Sequence, residues 1–210
     1  MRQKNNQNEL TLKGVVKTLP KKLYEDGTLY EFEIGIPRNS GYEDIIKVVY
    51  DPERLFPRES EALINVGETV AVWGKLAVFP TYDETGKRHS HLRAFAENFT
   101  RGAALPEYFN EVKFDGIIAQ DVHRRVTPLG RTLSDFIVDN CDGQKHNYIV
   151  CLAWGRKADM LKLCTKGEQI SIKGRFQSRE YNKYLDENTI EIRTAYEISI
   201  GSFSITVSEA

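Results

Sequence analysis

One segment of this chain is written twice. Val66-Gly67-Glu68-Thr69-Val70-Ala71-Val72-Trp73-Gly74-Lys75-Leu76 returns one hundred positions later as Lys166-Gly167-Glu168-Gln169-Ile170-Ser171-Ile172-Lys173-Gly174-Arg175-Phe176. Each copy opens on Gly-Glu, alternates apolar residues at Val70 and Val72 or Ile170 and Ile172, and closes on Gly followed by a base. That alternation is the pattern of a half-buried strand fed by a turn. The register continues upstream, where Asn8–Val16 corresponds to Asn110–Ile118, and downstream, where Ala96-Glu97 corresponds to Tyr196-Glu197. A repeat of about 100 residues is the size of one domain, so the chain is expected to fold as two copies of a single unit. The expected layout is a diverged N-terminal domain at 1–101, a linker at 102–109 containing Gly102 and Pro106, a C-terminal domain at 110–200 and a short tail at 201–210.

Within the second copy, strand signals fall near 111–119, 132–139, 146–154, 168–177 and 188–199. A helical stretch, Lys157–Leu163, lies between the third and fourth, with Met160, Leu161 and Leu163 expected to face the core. Five strands with a helix in that position follow the order of an oligonucleotide/oligosaccharide-binding barrel, or OB fold. The fold class is therefore all-β: two tandem five-stranded OB barrels, the first with 52–63 in the helix position. Gly14, Gly74, Gly116 and Gly174 mark the bulges or corners that a small closed barrel needs.

Lys and Arg total 29 against 30 Asp and Glu, a net charge of −1, so a polyanion site must be a local patch. No stretch approaches ~18 consecutive apolar residues and the start, MRQKNNQNEL, is polar, which predicts neither a membrane span nor a secretory signal. The expected location is cytoplasmic and nucleoid-associated. Cys141, Cys151 and Cys164 are odd in number and lack CxxC spacing, and are expected as reduced core thiols.

Three stretches of the second copy resemble the bacterial single-stranded-DNA-binding protein family and its primosomal relatives. Thr127-Pro128-Leu129-Gly130-Arg131-Thr132-Leu133-Ser134-Asp135-Phe136 looks like the turn entering the family's second strand. Tyr148-Ile149-Val150-Cys151-Leu152-Ala153-Trp154-Gly155-Arg156-Lys157-Ala158 looks like its third strand and helix start, and 166–181 like its fourth strand. The resemblance implies that Tyr148, Trp154 and Tyr181 stack on bases. The physical basis is general, since every base has a flat π-face that an exposed ring can cover for ~1–3 kcal/mol. Tyr148 and Trp154 lie an even number of residues apart and so share a strand face with Val150 and Leu152, leaving Ile149, Cys151 and Ala153 for the core.

Bases follow the aromatics. Arg125, Arg131, Arg156, Lys157, Arg175, Arg179 and Lys183 are the expected phosphate contacts of the second copy, with Arg179 and Tyr181 on one face. The first copy resembles the family much less; it offers Tyr50, Phe79 and Tyr82 for stacking, with Lys75, Lys87 and Arg88 for phosphates. Its 79–88 segment looks like a hairpin arm.

Enzyme chemistry finds little support. His89-Ser90-His91 lacks further ligands beside it, and no phosphate loop, dinucleotide fingerprint, GxSxG or HExxH motif is present. No cofactor or metal is expected. The preferred reading is a non-enzymatic, sequence-independent binder of single-stranded DNA in replication, recombination or repair. Its alternative is a protein-interaction OB module of replication or mobile-element machinery with weak nucleic-acid binding. The expected partners are single-stranded DNA, replication or repair proteins, and a second copy of the chain: a homodimer of four barrels paired through the edge near Glu111-Val112-Lys113-Phe114. The chain ends Ser202–Ala210 without the acidic tip through which relatives recruit enzymes, so tail-mediated recruitment is not expected.

Overall fold

The computed structural model describes residues 7–56, 64–101, 105–143, 145–184 and 189–206. The first half contains β1 (Asn8–Val16), β2 (Lys21–Lys22), β3 (Tyr30–Pro37), β4 (Glu43–Tyr50), α1 (Pro52–Leu55), β5 (Thr69–Tyr82) and β6 (Arg88–Arg101). The second contains β7 (Phe109–Ile118), β8 (His123–Val126), β9 (Thr132–Asp142), β10 (Lys145–Trp154), α2 (Arg156–Leu161), β11 (Gln169–Tyr184) and β12 (Ile190–Thr206). Each half closes on itself. In the first, β1 pairs with β3 and β5, β3 with β4, and β5 with β6, and a parallel β4–β6 contact completes the ring. The second repeats the circuit through β7, β9, β10, β12 and β11. These are two five-stranded OB barrels. Among the described residues no helix is long and apolar enough to cross a membrane.

The repeated signature is local chemistry. Gly67 and Gly167 take φ of 90° and 96°, a backbone state that L side chains avoid. Their N–H groups donate to Val16 and Ile118 at 2.9 Å each. The following glutamates cap the turn: Glu68 accepts from Asn65 N, and Glu168 from Thr165 N at 2.6 Å. Gly74 and Gly174 sit at register shifts in the long hairpins, and a Cβ there would collide with the carbonyls of Phe95 and Ser199. Just past each bulge, one asparagine satisfies a stranded peptide. Asn8 donates to Leu76 O and accepts from Leu76 N, both at 2.9 Å; Asn110 does the same for Phe176 at 2.7 and 2.9 Å.

β1 and β7 also pair with each other, antiparallel, from Asn8↔Phe114 to Lys13↔Phe109. Leu10 meets Val112, its own counterpart in the repeat, so an approximate twofold axis passes between them. Each strand then turns its free edge back to its own barrel, at Val15–Val16 toward β3 and at Ile117–Ile118 toward β9. The change of partner occurs at Gly14 and Gly116, where a Cβ would strike the Gly35 and Asp139 carbonyls. The edge expected to form a homodimer at 111–114 is therefore consumed inside the chain.

Other expectations need correction. β12 continues to Thr206 because Phe203 and Ile205 keep the alternation and pack on the core, so 201–206 is strand rather than tail, and 207–210 lie outside the described residues. The last two strands of the second barrel are longer than the sequence suggested, and β8 was not foreseen. α2 ends at Leu161: Ala158 and Leu161, one turn apart, are buried, whereas Met160 and Leu163 are exposed. α1 is a single turn capped by Asp51, whose side chain accepts from Glu53 N; 57–63 lie outside the described residues. Of the cysteines only Cys151 is a core thiol, its pKa pushed up by burial; Cys141 and Cys164 are half-buried.

Candidate nucleic-acid interface

The outer face of the second barrel can be read from strand register. Along β10, Ile149, Cys151 and Ala153 are fully buried, while Tyr148, Val150 and Trp154 are 56%, 39% and 40% exposed. Leu152 shares their phase but is covered. The parallel contact with β12 sets Leu152 beside Ser199, which opposes Arg175 on β11. Counting in twos along that hairpin places Arg175, Arg179, Tyr181 and Lys183, with Arg193 opposite Tyr181, on the same outer face as Tyr148 and Trp154.

The three rings have individual supports. His146 lies parallel to Tyr148, with centroids 6.3 Å apart, and its Nδ1 pairs with Asp139 at 2.7 Å. The imidazole thus fixes the tilt of the tyrosine ring. The Arg179 guanidinium lies 5.8 Å from the Tyr181 ring centre. Trp154 ends β10 where Gly155 N donates to Thr132 O at 2.9 Å, bringing Arg131 and Arg156 to the same end of the sheet. His146 and Arg193 were missed by sequence reasoning. His146 was legible from its spacing two residues before Tyr148; Arg193 depends on hairpin register, which no local pattern shows.

The cations divide into free and engaged. Arg131, Arg156, Lys157 and Lys183 have no ion pair among the described residues. Arg125 pairs with Asp135 at 3.2 Å and Arg179 with Glu197 at 3.4 Å, both from exposed positions that leave room for a phosphate. Arg175 is turned toward the other barrel, 3.4 Å from the buried Asp44 carboxylate, and burial lowers its pKa. It is removed from the phosphate set.

The first barrel departs from the expectation. Tyr50 is 4% exposed, edge-on to Phe32 and Phe56, and its hydroxyl pKa is pushed up to about 12 by burial. Phe79 is 8% exposed and packs with Val49 and Phe95. Neither ring is open to a base: β4 turns Tyr50 into the barrel core, whereas Phe79 points to the outer face of β5 and is covered there by Leu23, Leu29 and Lys145, whose Nζ lies 5.1 Å from its ring centre. Lys75 is spent on Asp142 of the second barrel at 2.8 Å and on Glu97. Tyr82, Lys87 and Arg88 remain exposed at the tip of the β5–β6 arm, whose turn is held by Asp83. Asp83 accepts from Thr85, Lys87 and His89, which holds its carboxyl far below the usual range.

The barrels can be superposed in register. Asp44 accepts from Ser178 N at 3.0 Å, and Asn147 accepts from Val78 N at 3.0 Å, which makes Asp44 and Asn147 counterparts. The two parallel contacts agree, since Val48 meets Ala94 where Cys151 meets Ile198. On that alignment Ile45, Lys47 and Asp51 stand where the second barrel has Tyr148, Val150 and Trp154. The corresponding cleft, about 1060 Å³, is lined by cations already paired: Arg38 to Asp44, Lys47 to Glu31 and Glu33, and Arg93 to Glu31 at 2.7 Å.

Residues 109–205, from the start of β7 almost to the end of β12, match the model of the single-strand binding protein family. No curated protein sequence matches the chain. Among solved structures it is similar to the wild-type single-stranded DNA binding protein from Thermus aquaticus, with a TM-score of 0.73 and 17% identity over 99% of this chain and 96% of that one. A deletion mutant of the same Thermus protein gives a TM-score of 0.73 and 17% identity over 98% and 97% of the two chains. At that identity the likeness is one of fold, and it extends over both barrels.

Proposed function

We propose that this chain binds single-stranded DNA without sequence preference and without catalysis, protecting or presenting the strand in replication, recombination or repair. Bases stack on Trp154, Tyr148 and Tyr181, while Arg131, Arg156, Lys157, Lys183 and, in part, Arg125 and Arg179 neutralise phosphates. The observation that carries this reading is the outer face of the second barrel: three exposed rings on one surface, bordered by cations of which Arg131, Arg156 and Lys157 have no ion pair among the described residues. Rings accept any base, and cations follow a backbone whose charge is independent of sequence, so the pair of features gives affinity without base readout. Tyr82, Lys87 and Arg88 extend the contact from the first barrel's arm. The match of 109–205 to the single-strand binding family supports the same assignment.

The test is a titration of oligothymidine at low and high salt. Binding that quenches tryptophan fluorescence and weakens with salt is expected. A folded protein that fails to bind at low salt overturns the reading.

A further inference from the structure

The arm that carries Arg179, Tyr181 and Lys183 does not stand free. Beyond Gly174, β11 no longer pairs with β7, so the outward backbone groups of that strand have lost their ladder. The first barrel replaces it at one residue. Ser178 N donates to Asp44 Oδ1 at 3.0 Å, Ser178 O accepts from Arg38 at 2.9 Å, and Ser178 Oγ accepts from Ile45 N at 2.8 Å. On the facing strand, Tyr196 lies beneath the Arg93 guanidinium, 5.2 Å from its ring centre.

Asp44 is the centre of this contact. It is fully buried, bonded twice to Arg38 and approached by Arg175. Its counterpart Asn147 holds the other arm by a single neutral bond. The two faces have thus diverged in opposite directions: the second barrel has rings and a neutral anchor, whereas the first has Ile45, Asp51 and Thr81 where those rings would stand, and a charged anchor.

We propose that the first barrel is the clamp of the second barrel's binding arm rather than a second stacking surface, and that Asp44 is the positioning residue. Tyr181 lies three residues beyond the clamped serine, so fixing Ser178 fixes where the ring and Arg179 meet the strand. This rests on the reading that bases stack on the second barrel. Holding the arm in advance removes an ordering cost from binding.

The experiment compares the intact chain with Asp44→Ala, Asp44→Asn, Tyr181→Ala and the Asp44→Ala/Tyr181→Ala pair. It measures oligothymidine affinity and amide exchange across 176–184. Asp44→Ala should accelerate exchange at Ser178 and weaken binding about 2- to 10-fold, the cost of ordering one released side chain. Asp44→Asn retains one acceptor, as Asn147 does, and should give a smaller change in both; it also serves if Asp44→Ala does not fold. In the Tyr181→Ala background, Asp44→Ala should add less than about a further 2-fold, since the ring it positions is gone. Faster exchange with unchanged affinity, or fully additive losses, would overturn the clamp alone. Failure of the intact chain to bind would overturn the stacking reading first.

Discussion

Trp154 gives the sharpest test of the interface, because its partial exposure sets a magnitude. An indole buries about 150–250 Å² when covered, and 40% of this one is open, leaving about 60–100 Å² for a base to cover. At about 25 cal/mol per Å² that surface contributes about 1.5–2.5 kcal/mol, so Trp154→Ala should weaken oligothymidine binding about 10- to 70-fold. The estimate falls inside the ~1–3 kcal/mol found for a base on an aromatic platform. Trp73 is the only other tryptophan and lies half-buried in the first barrel. Binding by the variant is therefore followed by anisotropy of a labelled oligonucleotide, while Trp73→Phe should keep the fluorescence quench of the intact chain. Tyr50→Ala is the control: a core ring removed costs about 3–5 kcal/mol of stability and should leave the affinity of the folded fraction unchanged. A folded Trp154→Ala chain with full affinity, or a loss of quench in Trp73→Phe, would refute the argument.

Exchanging Arg156 and Arg179 for Ala should flatten the salt dependence by up to ~0.7 per lost phosphate contact, less for Arg179, which already shares Glu197; an unchanged slope places the backbone track elsewhere. Burial raises the Tyr50 and Tyr196 hydroxyls to about 12. Unfolded tyrosines ionise first, near 10, so stability should hold below pH 10 and fall between pH 10 and 12. Denaturation of the Tyr50→Phe/Tyr196→Phe chain should show a shallower alkaline loss, and an identical loss would assign it to other groups. Light scattering should give twice the mass of one chain, through a surface other than β7; a species of single-chain mass would mean that the two barrels work alone.

The barrels were legible in the sequence because each depends on chemistry confined to a few neighbours. Gly67-Glu68 and Gly167-Glu168 form the same capped turn twice, and the alternation from Ile149 to Ala153 sorts β10 into core and surface without reference to the rest of the fold. Tyr50 and Phe79 misled because a strand aromatic carries no mark of its phase. Only the assembled fold shows that Tyr50 points into the core and that Phe79, on the outer face, is covered by Leu23, Leu29 and Lys145. Lys75 and Arg175 looked like surface cations following a glycine, yet each reaches an acid on the other barrel, Asp142 or Asp44. No local pattern encodes a partner more than 60 positions away.

Fusion of the two copies explains why their faces differ. In a homodimer built on an isologous edge, every substitution appears on both sides of the axis, so a surface cannot be a clamp in one barrel and a stacking platform in the other. Here the axis through Leu10 and Val112 survives in the backbone pairing, in the Asn8 and Asn110 bonds and in the paired bulges, all of which both barrels need in order to close. Away from those positions each copy has changed alone. Asp44 and Asn147 keep the acceptor that receives the other arm but differ in charge, and Asp51 stands where the second barrel has the indole of Trp154. Symmetry persists where closure demands it and fails where binding would, which is the pattern expected if one barrel presents the strand and the other holds the arm in place.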